Sequence, residues 1–184
     1  MNNIVNIINA IGSTGTFFMA IFYFFSLSIQ LYQMRLGFKP ALGFTQSFLV
    51  NQNGKLKLQD TSDLLKTSEE GINYFILHNL GGGTAKFITL EIYSREQQPL
   101  QKKYVHNLPS NTSYLLPINE KTYDSLNQAL ISENHEQKIT IDIHYKSNAS
   151  RKWKHAYLIA QIDFFNQNKE IEIYELQFVN HNKN

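Results

Sequence analysis

The feature that most constrains this chain is Thr16–Tyr32, TFFMAIFYFFSLSIQLY, a run with no charged side chain and a heavy aromatic load. A bilayer core needs about 20 apolar residues, with a range near 17 to 25. No Asp, Glu, Lys or Arg precedes Arg35, so the stretch from Thr16 to Met34 suffices with a slight tilt. A secretory signal peptide opens on Lys or Arg and closes on a small-residue cleavage site. This head has neither in convincing form, so residues 16–36 are expected to be a retained, single-pass transmembrane helix in the lipid bilayer.

Residues 1–15 have a different pattern. Ile4, Val5, Ile7, Ile8 and Ile11 crowd one side of a helix, and Asn2, Asn6 and Asn9 fall on the other. This predicts an amphipathic interfacial or partner-packing helix, with Gly12-Ser13-Thr14-Gly15 as a kink before the span. The flanks give a direction. Arg35, Lys39, Lys55 and Lys57 arrive before the first acid, Asp60, whereas the N-terminal side carries only its α-amino group. The positive-inside rule then places the C-terminal domain in the cytoplasm, on a bacterial inner membrane. Inside the span, Ser26, Gln30 and Gln33 share one helical face. Two readings stand: the amides sit at headgroup level, or the face hydrogen-bonds to other copies of the helix in an oligomer or pore lining.

Pro40 ends the helical run, because it lacks an N–H and disfavours helix in Lys39. About 140 residues remain, the size of one domain. Alternating polarity predicts strands over Leu42–Val50, Lys55–Gln59, Ile72–Asn79, Lys86–Ser94, Gln101–His106, Ser113–Ile118, Lys138–Lys146, Arg151–Phe165 and Glu170–Val179. Gln101–His106 reads as an edge. Asn51–Gly54 is a hairpin turn, and Asp60–Gly71 is a polar connection. Tyr123, Leu126 and Leu130 recur at helical spacing, which predicts one short helix over Lys121–Ile131. The expected fold of residues 40–179 is thus all-β, an antiparallel sandwich or alternatively a small β-barrel, followed by a frayed tail over 180–184.

Composition narrows the function classes. The chain has no cysteine, which excludes disulfides, thiolate catalysis and Cys-based zinc sites. Its 17 Lys+Arg against 15 Asp+Glu leave a net charge of +2, too small for a surface that tracks a phosphate backbone, and no nucleic-acid partner is expected. The acids are scattered without a paired-carboxylate pattern, and no Ser-His-acid set follows from sequence order. A non-enzymatic protein without a cofactor is the reading.

Asn79-Leu80-Gly81-Gly82-Gly83-Thr84-Ala85, with Ile72–Asn79 leading in and Phe87–Tyr93 leading out, resembles the cell-adhesion-related, immunoglobulin-like domains of bacteria and archaea. In those a strand ends in an Asn-x-Gly turn and resumes after a small residue. Leu108–Pro117 is similar to the corner before their next strand, with Asn111 at their usual Gly. The likeness covers about Ile72–Tyr145 and implies an immunoglobulin-like sandwich that serves as a binding or scaffolding module. Taken alone, the three glycines can turn the chain at positive φ. A phosphate loop would open a helix, usually with Lys-Ser/Thr following; here a strand follows, so a turn is expected.

The last candidate surface comes from a hairpin. With Ser147–Ser150 as its loop, Lys146 faces Arg151, His144 faces Trp153, Asp142 faces His155 and Thr140 faces Tyr157. The opposite face then carries Ile139, Ile141, Ile143, Ala156 and Leu158, a set fit for a core. The outward patch of Asp142, His144, Trp153 and His155, with Lys152 and Lys154 on the other side of their strand, is the candidate ligand- or partner-binding site. Cross-strand pairing explains it simply. A stackable Trp and titratable His beside cations would also suit a base and phosphate. His144, His155 and Asp142 are chemically suitable metal ligands but follow no recognised spacing, and no metal is assigned. The sequence therefore points to a membrane-anchored binding protein that oligomerises or engages a protein partner. The alternative is an oligomeric membrane effector of the anti-phage defence type, whose β domain senses a small ligand such as a signalling nucleotide and whose helices disrupt the membrane.

Overall fold

A computed structural model describes residues 2–52, 54–60, 73–94, 98–131, 139–148, 150–167 and 171–181. The chain divides into two compact units, Met1–Phe38 and Lys39–Asn184. Much of the expected Asp60–Gly71 connection and the end of the tail lie outside the described residues.

The first unit is a single helix, α1 (Asn2–Gly37). It is long and apolar enough to cross a membrane. At 1.5 Å per residue its 36 residues span about 54 Å, well beyond a hydrocarbon core of about 30 Å. The helix continues through Gly12–Gly15, where a kink was expected: isolated glycines cost about 1 kcal/mol each in a helix without removing a hydrogen bond. Thr16 Oγ1 donates to the Gly12 carbonyl at 2.8 Å, and Ser28 Oγ to that of Phe24 at 2.8 Å, so both hydroxyls are satisfied inside the helix. Phe17, Phe18, Phe22, Tyr23, Phe24 and Phe25 are all exposed.

The second unit is built from two antiparallel sheets. Its strands are β1 (Leu42–Phe44), β2 (Ser47–Gln52), β3 (Lys55–Asp60), β4 (Tyr74–Asn79), β5 (Ala85–Tyr93), β6 (Gln101–Leu108), β7 (Thr112–Pro117), β8 (Thr140–Ser147), β9 (Ser150–Gln167) and β10 (Ile171–Asn180), with α2 (Glu120–Ile131) between β7 and β8. The small sheet has the order β1-β4-β7, and the large one, a curled half-barrel, the order β3-β2-β10-β9-β8-β5-β6. The edge position expected for Gln101–His106 is where β6 lies.

One expected strand is two. Leu42–Val50 breaks between Phe44 and Ser47: β1 pairs with β4 in the small sheet, and β2 pairs with β10 in the large one. Period two reports which residues face a core, and here both halves face the same one. Phe44 packs against Phe75 and Phe178, with ring centroids 6.1 and 5.0 Å away, while Leu49 on β2 is fully buried. Phe75, Leu77 and Leu116 meet Ile88, Leu90, Ile92, Ile141, Ile143 and Leu176 across the interior. Each such side chain contributes about 1.5–3 kcal/mol of burial. Leu126 and Leu130 of α2 join the same core.

α2 starts where Asn119 caps it, with Asn119 Oδ1 accepting from the Thr122 N–H at 2.9 Å. Tyr123 Oη accepts from the Leu56 N–H and donates to the Leu56 carbonyl, each at 3.0 Å. β3 is an edge strand, and this clasp occupies backbone groups that would otherwise face an open edge. At the other end of the chain, Asn180 still pairs with Leu158, and the His181 N–H bonds the Tyr157 carbonyl at 2.9 Å.

Asn79, fully buried, ties three loops together. Its Nδ2 donates to the carbonyls of Gly83, Leu108 and Pro109 at 2.7, 3.0 and 3.1 Å. Its Oδ1 accepts from the N–H groups of Ala41 and Gly81, both at 3.2 Å. The Asn79 carbonyl accepts from the Asn111 N–H at 2.8 Å. Asn111 sits at φ +55, a left-handed conformation that Asn tolerates better than most residues. The glycine-rich loop is thus a turn, held against the Lys39–Ala41 segment that follows α1 and against the Pro109 corner.

Candidate functional site

The open face of the large sheet carries the candidate residues, and the register of the β8–β9 hairpin decides how they meet. Ser147 pairs with Ser150, as expected of this loop, but the next pair is Lys146 with Trp153. Two additional residues, Arg151 and Lys152, are accommodated in β9, and the Lys152 N–H turns to Ser150 Oγ at 3.2 Å. The pairing beyond them is shifted by two residues from that expected. His144 faces His155, Asp142 faces Tyr157, and Thr140 faces Ile159. A shift of two preserves the side-chain face, so Asp142, His144, Trp153 and His155 still point outward and Ile141, Ile143 and Leu158 still fill the core.

The shift creates a compact cluster. His155 Nε2 hydrogen-bonds Asp142 Oδ1, and His144 Nε2 lies 3.4 Å from the same oxygen. The two imidazoles stack with centroids 4.5 Å apart and planes 25° off parallel. His144 and His155 are nearly half exposed, and Asp142 is about one-fifth exposed. Trp153 lies exposed along the same strand face, with Lys146 Nζ 4.6 Å from its ring centroid.

The other two lysines are placed differently. Lys154 pairs with Tyr145 and holds its Nζ 6.0 Å from that ring, on the side away from the histidines. Burial pushes the Tyr145 phenol up. Lys152 is exposed in the bulged stretch. Four of the six candidates thus line the open face, while Lys154 lies on the other side of β9, as expected, and Lys152 sits in the bulged stretch.

Long-range pairing adds residues that local sequence reading misses. Glu91 on β5 lies directly opposite Asp142, and Thr89 opposite His144. Glu91 receives Lys102 Nζ from β6 at 2.5 Å and the Tyr93 hydroxyl at 2.5 Å. The Lys102 hydrogen bond, then that of Tyr93, holds the Glu91 carboxyl below the usual range. The same hydrogen bond to Glu91 is the main reason the Tyr93 phenol is pushed up to about 12. The signal that could have found this row is the alternation in Glu91 and Tyr93, but no local pattern tells which strand lies beside β8.

β5 carries its own irregularity next to the cluster. Lys86 pairs with Lys146 and Thr89 with His144, so β5 advances three residues while β8 advances two. Within this bulge Phe87 adopts φ +52 and packs edge-on against His106, with centroids 5.2 Å apart. A bulky residue in that region costs on the order of 1–3 kcal/mol. Bulges increase local twist and bend the strand that carries them.

Chemically, the cluster can share a proton between carboxylate and imidazole, bind a cation through two nitrogens and an oxygen, or stack a planar group beside Trp153. Compared with known protein families, curated proteins and solved structures, the chain matches none.

Proposed function

We propose that this protein is a non-enzymatic, single-pass binding protein of a bacterial inner membrane that holds an immunoglobulin-like sandwich in the cytoplasm, where it engages a protein partner or oligomerises. The observation that carries the reading is α1. It is 36 residues long and exposed at its described side chains, and it is followed within three residues by a segment fastened to the β domain through Asn79 and Gly81. An apolar helix of this kind needs either lipid or other helices around it. Arg35, Lys39, Lys55 and Lys57 on its C-terminal side support the cytoplasmic orientation.

Strand order supports the immunoglobulin-like assignment. β1-β4-β7 corresponds to the A-B-E order of such sandwiches, and β6-β5-β8-β9 to C′-C-F-G, with β10, β2 and β3 extending the second sheet. The open polar and aromatic face of β5, β8 and β9 is the surface offered for binding.

The test is fractionation and topology. The protein should stay with membranes through alkaline carbonate extraction, and a fluorescent reporter fused after Asn184 should be active in the cytoplasm. Strong activity of a periplasmic alkaline phosphatase fused at the same point would reverse the orientation, and release by carbonate would remove the anchor.

A second reading, the oligomeric membrane effector, is favoured by one observation. Ser26, Gln30 and Gln33 are exposed on one face of α1, whereas Thr16 and Ser28 bond back to their own helix. Amides at such a position are suited to bonding between helices. Induced expression should then depolarise cells, as read by a membrane-potential dye, and Gln30→Leu with Gln33→Leu should abolish the effect. A silent dye with every candidate ligand removes this reading.

A further inference from the structure

We propose that Asp142, His144 and His155 form a binding site for one divalent transition-metal ion of the zinc class, with an open coordination position toward solvent. Each residue offers one ligand atom, and the three atoms lie within 4.8 Å of one another. The ligands come from two neighbouring strands: Asp142 and His144 are neighbours on one face of β8, and His155 stands directly opposite His144 on β9.

One distance already fits the assignment. Zinc binds imidazole nitrogen and carboxylate oxygen at about 2.0–2.2 Å, and tetrahedral geometry then separates two ligand atoms by about 3.3 Å. His144 Nε2 and Asp142 Oδ1 are 3.4 Å apart, the edge of such a tetrahedron. His155 Nε2 bonds the same carboxylate oxygen directly. A rotation of the exposed His155 or of the Asp142 carboxylate would separate these two atoms to the spacing of ligands on one metal.

Charge placement points the same way. Asp142 and Glu91 are acids directly opposite each other on neighbouring strands, an arrangement that destabilises a sheet unless cations are present. Glu91 has Lys102 at 2.5 Å. Asp142 has only imidazoles within ion-pairing distance among the described residues, so a dication held by those imidazoles would balance the row.

The bulged register is what sets His155 directly opposite His144. In a hairpin without Arg151 and Lys152 accommodated in β9, His144 would face Trp153 instead of His155. Two nitrogens and one oxygen suit zinc, cobalt, nickel or copper, whereas calcium and magnesium take oxygen ligands. Half-exposed histidines leave an entry path and room for a water or a partner's side chain in the remaining position. The site is therefore of the open, exchangeable kind and not a closed structural centre.

The test uses the full-length chain in detergent micelles, purified without a histidine tag and stripped with EDTA. Titration calorimetry with Zn2+ alone should show one ion bound per chain. His144→Ala and His155→Ala should each weaken binding by about tenfold or more, a range typical of lost metal-site interactions. Removal of His78 and His106, which lie elsewhere, should leave binding unchanged.

Trp153 is the sole tryptophan and shares the strand face of His155, so Cu2+ should quench its fluorescence at one equivalent, and EDTA should restore it. This second measurement needs no variant and stands even where a substitution fails to fold. Binding that persists undiminished in the His144→Ala/His155→Ala double variant, or the absence of one-equivalent, EDTA-reversed quenching in the wild type, overturns the assignment.

Discussion

Gly81 lies so close to Lys39 that a Cβ on it would fall 2.2 Å from the Lys39 carbonyl oxygen, with Ala41 N at 2.4 Å and the Pro40 carbonyl carbon at 2.7 Å. All three blocking atoms are backbone, so the contact cannot be relieved by a rotamer change. Gly81→Ala should therefore destabilise the domain by ~2 kcal/mol or more, within the range for overpacking a rigid site. Gly43→Ala meets nothing within 4 Å and should be nearly neutral. Urea unfolding of the two variants measures the difference; equal midpoints would show that the Lys39–Ala41 segment is not packed on this loop.

Asn79→Asp replaces a donor to three carbonyls with an acceptor, at nearly constant volume. A buried carboxylate facing carbonyl oxygens is unpaired, and protonation can restore only one of the bonds. The expected cost is roughly 3 kcal/mol or more, from orphaned buried groups at about 1–3 kcal/mol each. Thermal melting should show a larger drop than for Gly81→Ala. A wild-type melting temperature would mean that Asn79 is not the tie between the loops.

Tyr123→Phe keeps the ring and removes the hydroxyl that both accepts from and donates to Leu56. The loss should be about 1–2 kcal/mol, one modest hydrogen bond plus an edge-strand backbone pair returned to water. Hydrogen exchange should localise the effect, with the Leu56 amide exchanging faster in the variant. An unchanged Leu56 amide would separate α2 from the protection of β3.

Stability should fall at both ends of the pH range through one trio. The Glu91 carboxyl is held below its ordinary value of 4.5, mainly by its hydrogen bond with Lys102, so its contribution is complete above that value and is lost as pH falls through the folded-state value. The Tyr93 phenol is raised from 10.0 to about 12, chiefly by its hydrogen bond to Glu91, so its contribution is complete below pH 10.0 and is lost as pH rises toward 12. Chemical denaturation between pH 9 and about 12 should show a decline that is smaller in Tyr93→Phe. Identical alkaline slopes in wild type and variant would show that the trio does not form.

Local pattern was enough for the apolar span, the positions of most strands, the short helix around Leu126, and the division of β8 and β9 into core and open faces. Those properties depend on side-chain alternation along a few residues, and a shift of two leaves them intact. The partners were not legible. Alternation alone places His144 opposite Trp153, whereas it stands opposite His155, because Arg151 and Lys152 are accommodated in β9 where the Lys152 N–H bonds Ser150 Oγ. The split of Leu42–Val50 between two sheets was equally hidden, since both halves bury the same face against the same core.

The amino-acid sequence by itself determined that a long apolar stretch precedes a β domain and that Asn79-Leu80-Gly81-Gly82-Gly83 turns the chain. Only the tertiary structure decided that Asn79 joins three loops, that Glu91 and Lys102 line up beside Asp142, and that two histidines share one carboxylate. The physical reason is range. Periodicity and turn chemistry act over a few residues, whereas these contacts are set by sheet order and bulges, which emerge only when strands far apart in the chain compete for one core.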